Sequence, residues 1–133
     1  MTVAAPVRPS SAHPDQVALA EYEAGADLGS VARDRPDSGW AWGALGAAAL
    51  RRGDAVVAYS HAYLGRALSF QAAKGAGWAE GQPITAPVLL SVIVGGLAAE
   101  SLGMEEAAAQ ARSFLAALGH DIDDPCLLES LTR

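Results

Sequence analysis

The residues best equipped for chemistry fall on one short stretch, Tyr59-Ser60-His61-Ala62-Tyr63-Leu64-Gly65-Arg66. A histidine, two phenols and a guanidinium lie close together there. On a helix they could form a polar cluster in which His61 acts as a base or ligand, and a pocket built from His61, Tyr63, Arg66 and Glu100 would make the chain a small enzyme or ligand binder. The plainer reading is a helix histidine at the surface or bonded to a carbonyl. It is the stronger one, because no HExxH pattern and no second nearby histidine supports a metal site. The segment His120-Asp121-Ile122-Asp123-Asp124-Pro125-Cys126 gathers three carboxylates, a histidine and a thiol. Its spacing does not follow the calcium-loop template, so it reads as a turn followed by a capped helix. Cys126 has no partner base in the sequence, and no Gly-x-x-x-x-Gly-Lys-Ser/Thr loop is present to cradle a phosphate. The expectation is therefore no enzyme: no catalytic residue, no metal and no cofactor.

The composition narrows the classes further. With 133 residues the chain fits one domain, expected over residues 14–133 behind a flexible N-terminal tail at 1–13. It is 51% hydrophobic but only 6% aromatic, with alanine carrying much of the apolar share. Alanine is the best helix former and is depleted in sheets, which points to an all-α fold with closely approaching backbones. A net charge of −6 argues against nucleic acid as a partner. A lone cysteine fits a reducing, cytoplasmic setting. The longest apolar run, 86–99, is interrupted by Pro87, Ser91, Gly95 and Gly96 and is too short to span a membrane.

The elements that must position these side chains follow from caps and periodicity. Helices are expected over about 15–24, 27–33 and 38–52, the last capped by Asp37 or Ser38. Gly53 suits a left-handed helix end, and Asp54 caps a helix over 55–74 whose stripe is Val56, Tyr59, Tyr63, Ala67 and Phe70. Residues 74–87, with Gly75, Gly77, Gly81, Pro83 and Pro87 around Trp78, form a connection longer than bundles usually need. Val88 to Gly96 could be a strand, but no second strand is available to pair with it, so a buried helix is expected. Helices over about 104–118 and 124–131 complete the chain.

Trp42-x-x-Leu45-Gly46, the turn at Gly53-Asp54 and the small Ala58 match the opening, turn and contact positions of a tetratricopeptide repeat. Gly96, Gly103 and Ala108 give a weaker second copy. The chain thus resembles tetratricopeptide-like (TPR-like) proteins, which implies antiparallel helical hairpins, about six helices in all, in a small right-handed solenoid or bundle. From about Val17 to Gly119 it also resembles an uncharacterised actinobacterial family, domain of unknown function 3151. The resemblance rests on Pro36-Asp37-Ser38-x-x-Ala41-Trp42, on Ala58 to Leu68, on Gly77-Trp78 and on Ser101 to Leu115. The chain departs from that family at Gln82-Pro83-Ile84-Thr85, where a His-Glu-Pro-Asn segment is expected.

The resemblance to the family of unknown function implies a TPR-like fold and no established activity; the tetratricopeptide hairpin points to a scaffold that binds a protein or peptide through an apolar groove. Carrying the hairpin geometry over makes Trp40, Ala47, Leu50 and Arg51 line a groove beside Leu90, Ile93, Leu97 and Glu100. Trp42 is assigned to the core and Trp40 to the partner. The alternative is a structural protein whose apolar surface is covered by its own 78–87 segment or by a second copy in a homodimer.

Overall fold

Short polar side chains divide the chain into helices. The computed structural model describes residues 13–75, 77 and 84–132, and over these it contains seven α-helices and no strand. They are α1 (Pro14–Glu23), α2 (Leu28–Asp34), α3 (Gly39–Arg51), α4 (Ala55–Gly75), α5 (Ala86–Ser101), α6 (Glu105–Ala117) and α7 (Pro125–Leu131). The expected tail, apart from His13, and Trp78 with most of its connection lie outside the described residues. Each helix expected from caps and periodicity is present, one more than the about six implied by the tetratricopeptide resemblance, and even α2 and α7, only seven residues each, carry their own caps: Asp27 accepts from Ser30 N–H and Asp124 from Cys126 N–H. Val88 to Gly96 is helical, as the lack of a partner strand requires.

Two tight turns fold the middle of the chain into hairpins. At Gly53 (φ 80°) the N–H of Gly53 donates to Leu50 O and that of Asp54 to Ala49 O at 2.9 Å. At Gly103 (φ 75°) the N–H of Gly103 donates to Glu100 O and that of Met104 to Ala99 O, also at 2.9 Å. Both are the same paired closure around a left-handed residue, which glycine adopts without steric cost. Asp54 then accepts from Val57 N–H, starting α4 as the sequence predicts.

Small residues let the helices meet at backbone distance. A Cβ on Gly46 would lie 3.1 Å from Ala58 O, so the expected Gly46–Ala58 contact is present. The closest crossing is further along, where a Cβ on Gly65 would stand 2.9 Å from Gly39 O and 3.0 Å from Gly43 N. The hydroxyls of Ser69 and Ser91 are buried in this junction with no hydrogen-bond partner.

Helix α5 is the hub. It packs against α3, α4, α6 and α7, and most of its residues from Val88 to Ala99 are buried, which is why its sequence is apolar nearly all round. At the other end of the molecule, Asp15 of α1 accepts from Ser38 Oγ at 2.6 Å and from Trp40 N–H at 2.9 Å. Ser38 in turn accepts from Ala41 N–H, so α3 begins on a polar link supplied from 23 residues upstream.

Trp40, expected to face a partner, is a core residue, while Trp42 packs against the core from its edge. Trp40 is only 6% exposed, against Tyr22 at a centroid distance of 5.8 Å, with its indole N–H donating to Leu131 O. Trp42 is half-buried at the periphery, its N–H donating to Pro36 O at 2.9 Å and its ring beside His61. The cause is α7: Leu128 and Leu131 pack onto the cluster that holds Trp40, Ala47, Leu90 and Val94, closing the face on which Trp40 was expected to meet a partner.

Candidate binding cleft

The groove expected between α3 and α5 is filled by the chain's own C-terminal helix. Trp40, Ala47, Leu90 and Ile93 are interior residues, Leu50 and Leu97 are partly buried, and only Arg51 and Glu100 are exposed. The two exposed residues are engaged with the chain's own C-terminal part. Arg51 donates to Thr132 Oγ1 just past α7 at 3.1 Å, and Glu100 accepts from Arg112. Arg112 also holds Asp123 through two hydrogen bonds of 2.9 and 3.2 Å, so one guanidinium ties the end of α5 to the loop leading into α7. Those bonds raise the Arg112 pKa and hold the Asp123 carboxyl below its ordinary value. A self-covered surface was foreseen, but with the 78–87 segment as its cover. Leu127, Leu128 and Leu131 were read only as a terminal helix.

An open cleft lies on the opposite side of α5. The residues of α5 that reach it are Ser91, Val92, Gly95 and Gly96, roughly half a helical turn from Leu90, Ile93 and Leu97. Helices α4 and α6 each pack on α5 but leave a gap of about 430 Å³ between them. Gly95 keeps its floor low, while Gly96 lets Ala111 and Ile122 pack close. One wall is the α4 stripe of Tyr59, Tyr63, Arg66 and Phe70, spaced by three and four residues. The other is Ala107, Gln110, Ala111 and Phe114 of α6, at i, i+3, i+4 and i+7. Phe70 and Phe114 meet edge to face at 6.3 Å and join the two walls.

The polar groups sit on the rim. Tyr63 is 58% exposed, with Tyr59 at a centroid distance of 6.4 Å and the Arg66 guanidinium carbon 5.2 Å over its ring. Such stacking favours a cation over the negative ring face and fixes the guanidinium plane. Arg66 is the charged residue of the lining, and among the described residues it pairs with no carboxylate.

Of the polar cluster seen in the sequence, the structure brings Tyr59, Tyr63 and Arg66 together and leaves His61 and Glu100 out. His61 turns to the other side of α4, its ring 5.4 Å from that of Trp42 and its Nδ1 buried without a partner. Burial, and then the positive charge of Arg52, lower its pKa, with Asp54 acting in the opposite sense. His120 and the three aspartates near it do not converge either: Asp121 and Asp124 cap local backbone while Asp123 goes to Arg112. Among the described residues no group of acidic, histidine or cysteine side chains is placed to hold a metal ion, and no helix is long and apolar enough to cross a membrane. Sequence reasoning missed the α6 wall, although its spacing was legible. Comparison with known protein families, curated proteins and solved structures finds no match for this chain.

Proposed function

We propose that the chain is a non-enzymatic binding module of tetratricopeptide-like build, with α3/α4 and α5/α6 as successive hairpins, that takes a segment of a partner protein in the α4–α5–α6 cleft. The observation that carries this reading is the cleft itself. It has a floor that is apolar but for the buried Ser91, has aromatic walls, and is large enough for one or two side chains, with its phenols and guanidinium at the rim. Such an arrangement gives an incoming apolar side chain a desolvated seat and a polar border that orients it. Catalysis finds less support, because among the described residues the lining holds no histidine or carboxylate to serve as a base.

Gly95→Leu tests the proposal. A Cβ at Gly95 meets only Ala62 Cβ at 3.5 Å, an ordinary contact, so a side chain can be started from this floor position without a clash, and an unchanged circular-dichroism melt checks that the leucine leaves the fold intact. Partners cross-linked to the wild-type chain in cells, identified by mass spectrometry, should be lost with this variant. Their full retention sinks the proposal. A second copy of the chain as partner would appear as a dimer in light scattering that Gly95→Leu dissociates.

A further inference from the structure

We infer that the segment taken up by this cleft is acidic: it offers a bulky apolar side chain and, about one helical turn away, a carboxylate that pairs with Arg66. This rests on the cleft being the binding site, and it adds the chemistry of the occupant. The apolar part of the seat lies around Val92, Gly95 and Phe114, and Arg66 stands one turn of α4, about 6 Å, from Phe70 at the joined walls. Among the described residues Arg66 shares with Arg33, Arg51, Arg52 and Lys74 the lack of a carboxylate partner, whereas Arg35 is held by Glu21 and Arg112 by Glu100 and Asp123. Arg66 instead lies over Tyr63, a position that immobilises the guanidinium plane and leaves its N–H edge able to meet a carboxylate in two parallel hydrogen bonds. Charge complementarity at the rim thus selects an anion, and the apolar floor selects what that anion must be attached to.

The test uses two matched pairs. The aromatic sulfonate 1-anilinonaphthalene-8-sulfonate and its uncharged counterpart N-phenyl-1-naphthylamine differ only in the anionic group. The acetylated, amidated peptides Glu-Ala-Ala-Leu-Phe and Gln-Ala-Ala-Leu-Phe differ only in the carboxylate, and serve as competitors. Wild type should bind the sulfonate more tightly than the uncharged dye, and Arg66→Leu should weaken the sulfonate about fivefold while leaving the uncharged dye unchanged. Arg66→Lys should restore part of the loss, because it keeps the charge but not the paired geometry. The Glu peptide should displace the dye at several-fold lower concentration than the Gln peptide, and Gly95→Leu should abolish binding of both dyes. If Arg66→Leu binds the sulfonate as wild type does, or the two peptides compete equally, the inference of an acidic occupant is overturned while the cleft remains the site. If Gly95→Leu leaves both dyes bound, the cleft is not the site and the parent proposal fails as well.

Discussion

Gly65→Ala is the sharpest probe of how this fold is held together. The new methyl group would meet Ser91 Oγ at 2.6 Å, Gly39 O at 2.9 Å and Gly43 N at 3.0 Å. Real Cβ atoms avoid the first two distances and rarely accept the third. The serine side chain can rotate, but Gly39 O and Gly43 N are backbone atoms of α3, so α3 and α4 must move apart by several tenths of an ångström. Overpacking of this kind costs about 1–3 kcal/mol, and separating the helices also loosens the Gly46–Ala58 contact two turns away. Alanine gains about 1 kcal/mol of helix propensity over glycine, which offsets part of this. A net loss of about 1–2 kcal/mol corresponds to a fall in Tm of roughly 3–8 °C for a domain of this size, read by circular dichroism at 222 nm. Gly75→Ala is the control. It lies in the same helix with nothing within 4 Å, and should be neutral or slightly stabilising. Ser91→Ala removes a buried hydroxyl that has no partner, so it should cost nothing or stabilise. Added to Gly65→Ala, it should recover only the part owed to Oγ. A Gly65→Ala protein as stable as wild type, or a complete rescue by Ser91→Ala, would refute the backbone-to-backbone crossing of α3 and α4.

Other perturbations probe the remaining links. Asp15→Ala leaves two buried donors, Ser38 Oγ–H and Trp40 N–H, without their acceptor, and should cost about 2–4 kcal/mol in urea unfolding; Asp15→Asn keeps an acceptor and should lose less. Leu131→Asp puts a charge against Trp40 and should release α7, shifting tryptophan emission to the red and raising acrylamide quenching; an identical change in a Trp40→Phe background would refute this, since Trp42 should be indifferent. His61 has a lowered pKa in the folded state, so the unfolded chain binds the proton more readily. Stability should therefore be fully present above about pH 6.5 and decline as pH falls below it toward the folded-state value, a decline that His61→Gln abolishes in denaturation curves across pH.

Local signals in the sequence located the helices closely, and they did so for reasons that are themselves local. Ser38, Asp54 and Asp124 cap as expected because an N-cap needs only its own side chain and the next turn of backbone. Gly53 ends α3 because a left-handed residue is required there whatever packs outside. Ala58 was identified as a contact with Gly46 because small residues at paired positions of a hairpin face each other by geometry alone. Failures arose where a distant segment decides the outcome. Trp40 and Trp42 are two residues apart on one helix, and only the arrival of Leu128 and Leu131, nearly ninety residues later, determines which ring is covered. The Ser38–Asp15 link was equally hidden, since Asp15 reads as an ordinary first-turn acid of α1. His61 was singled out by residue type, yet its side of α4 is fixed by Trp42 and not by the tyrosines beside it in sequence.

These errors share one physical origin, and it bears on function. A helix that is apolar all round, as α5 is, does not encode which of its faces will be covered by the same chain and which left for something else. Here α7 takes the Leu90–Ile93–Leu97 face, whose large aliphatic side chains bury more area per residue than the Val92–Gly95–Gly96 face opposite. The strip left facing the cleft is the one with the smallest side chains, so little apolar area stays exposed when it is empty, and Gly95 leaves depth there for a foreign side chain. The same choice explains why Arg66 and Tyr63 stand at the rim: α4 presents them to solvent beside a cleft that the chain's own terminal helix, already committed to the other face, does not fill.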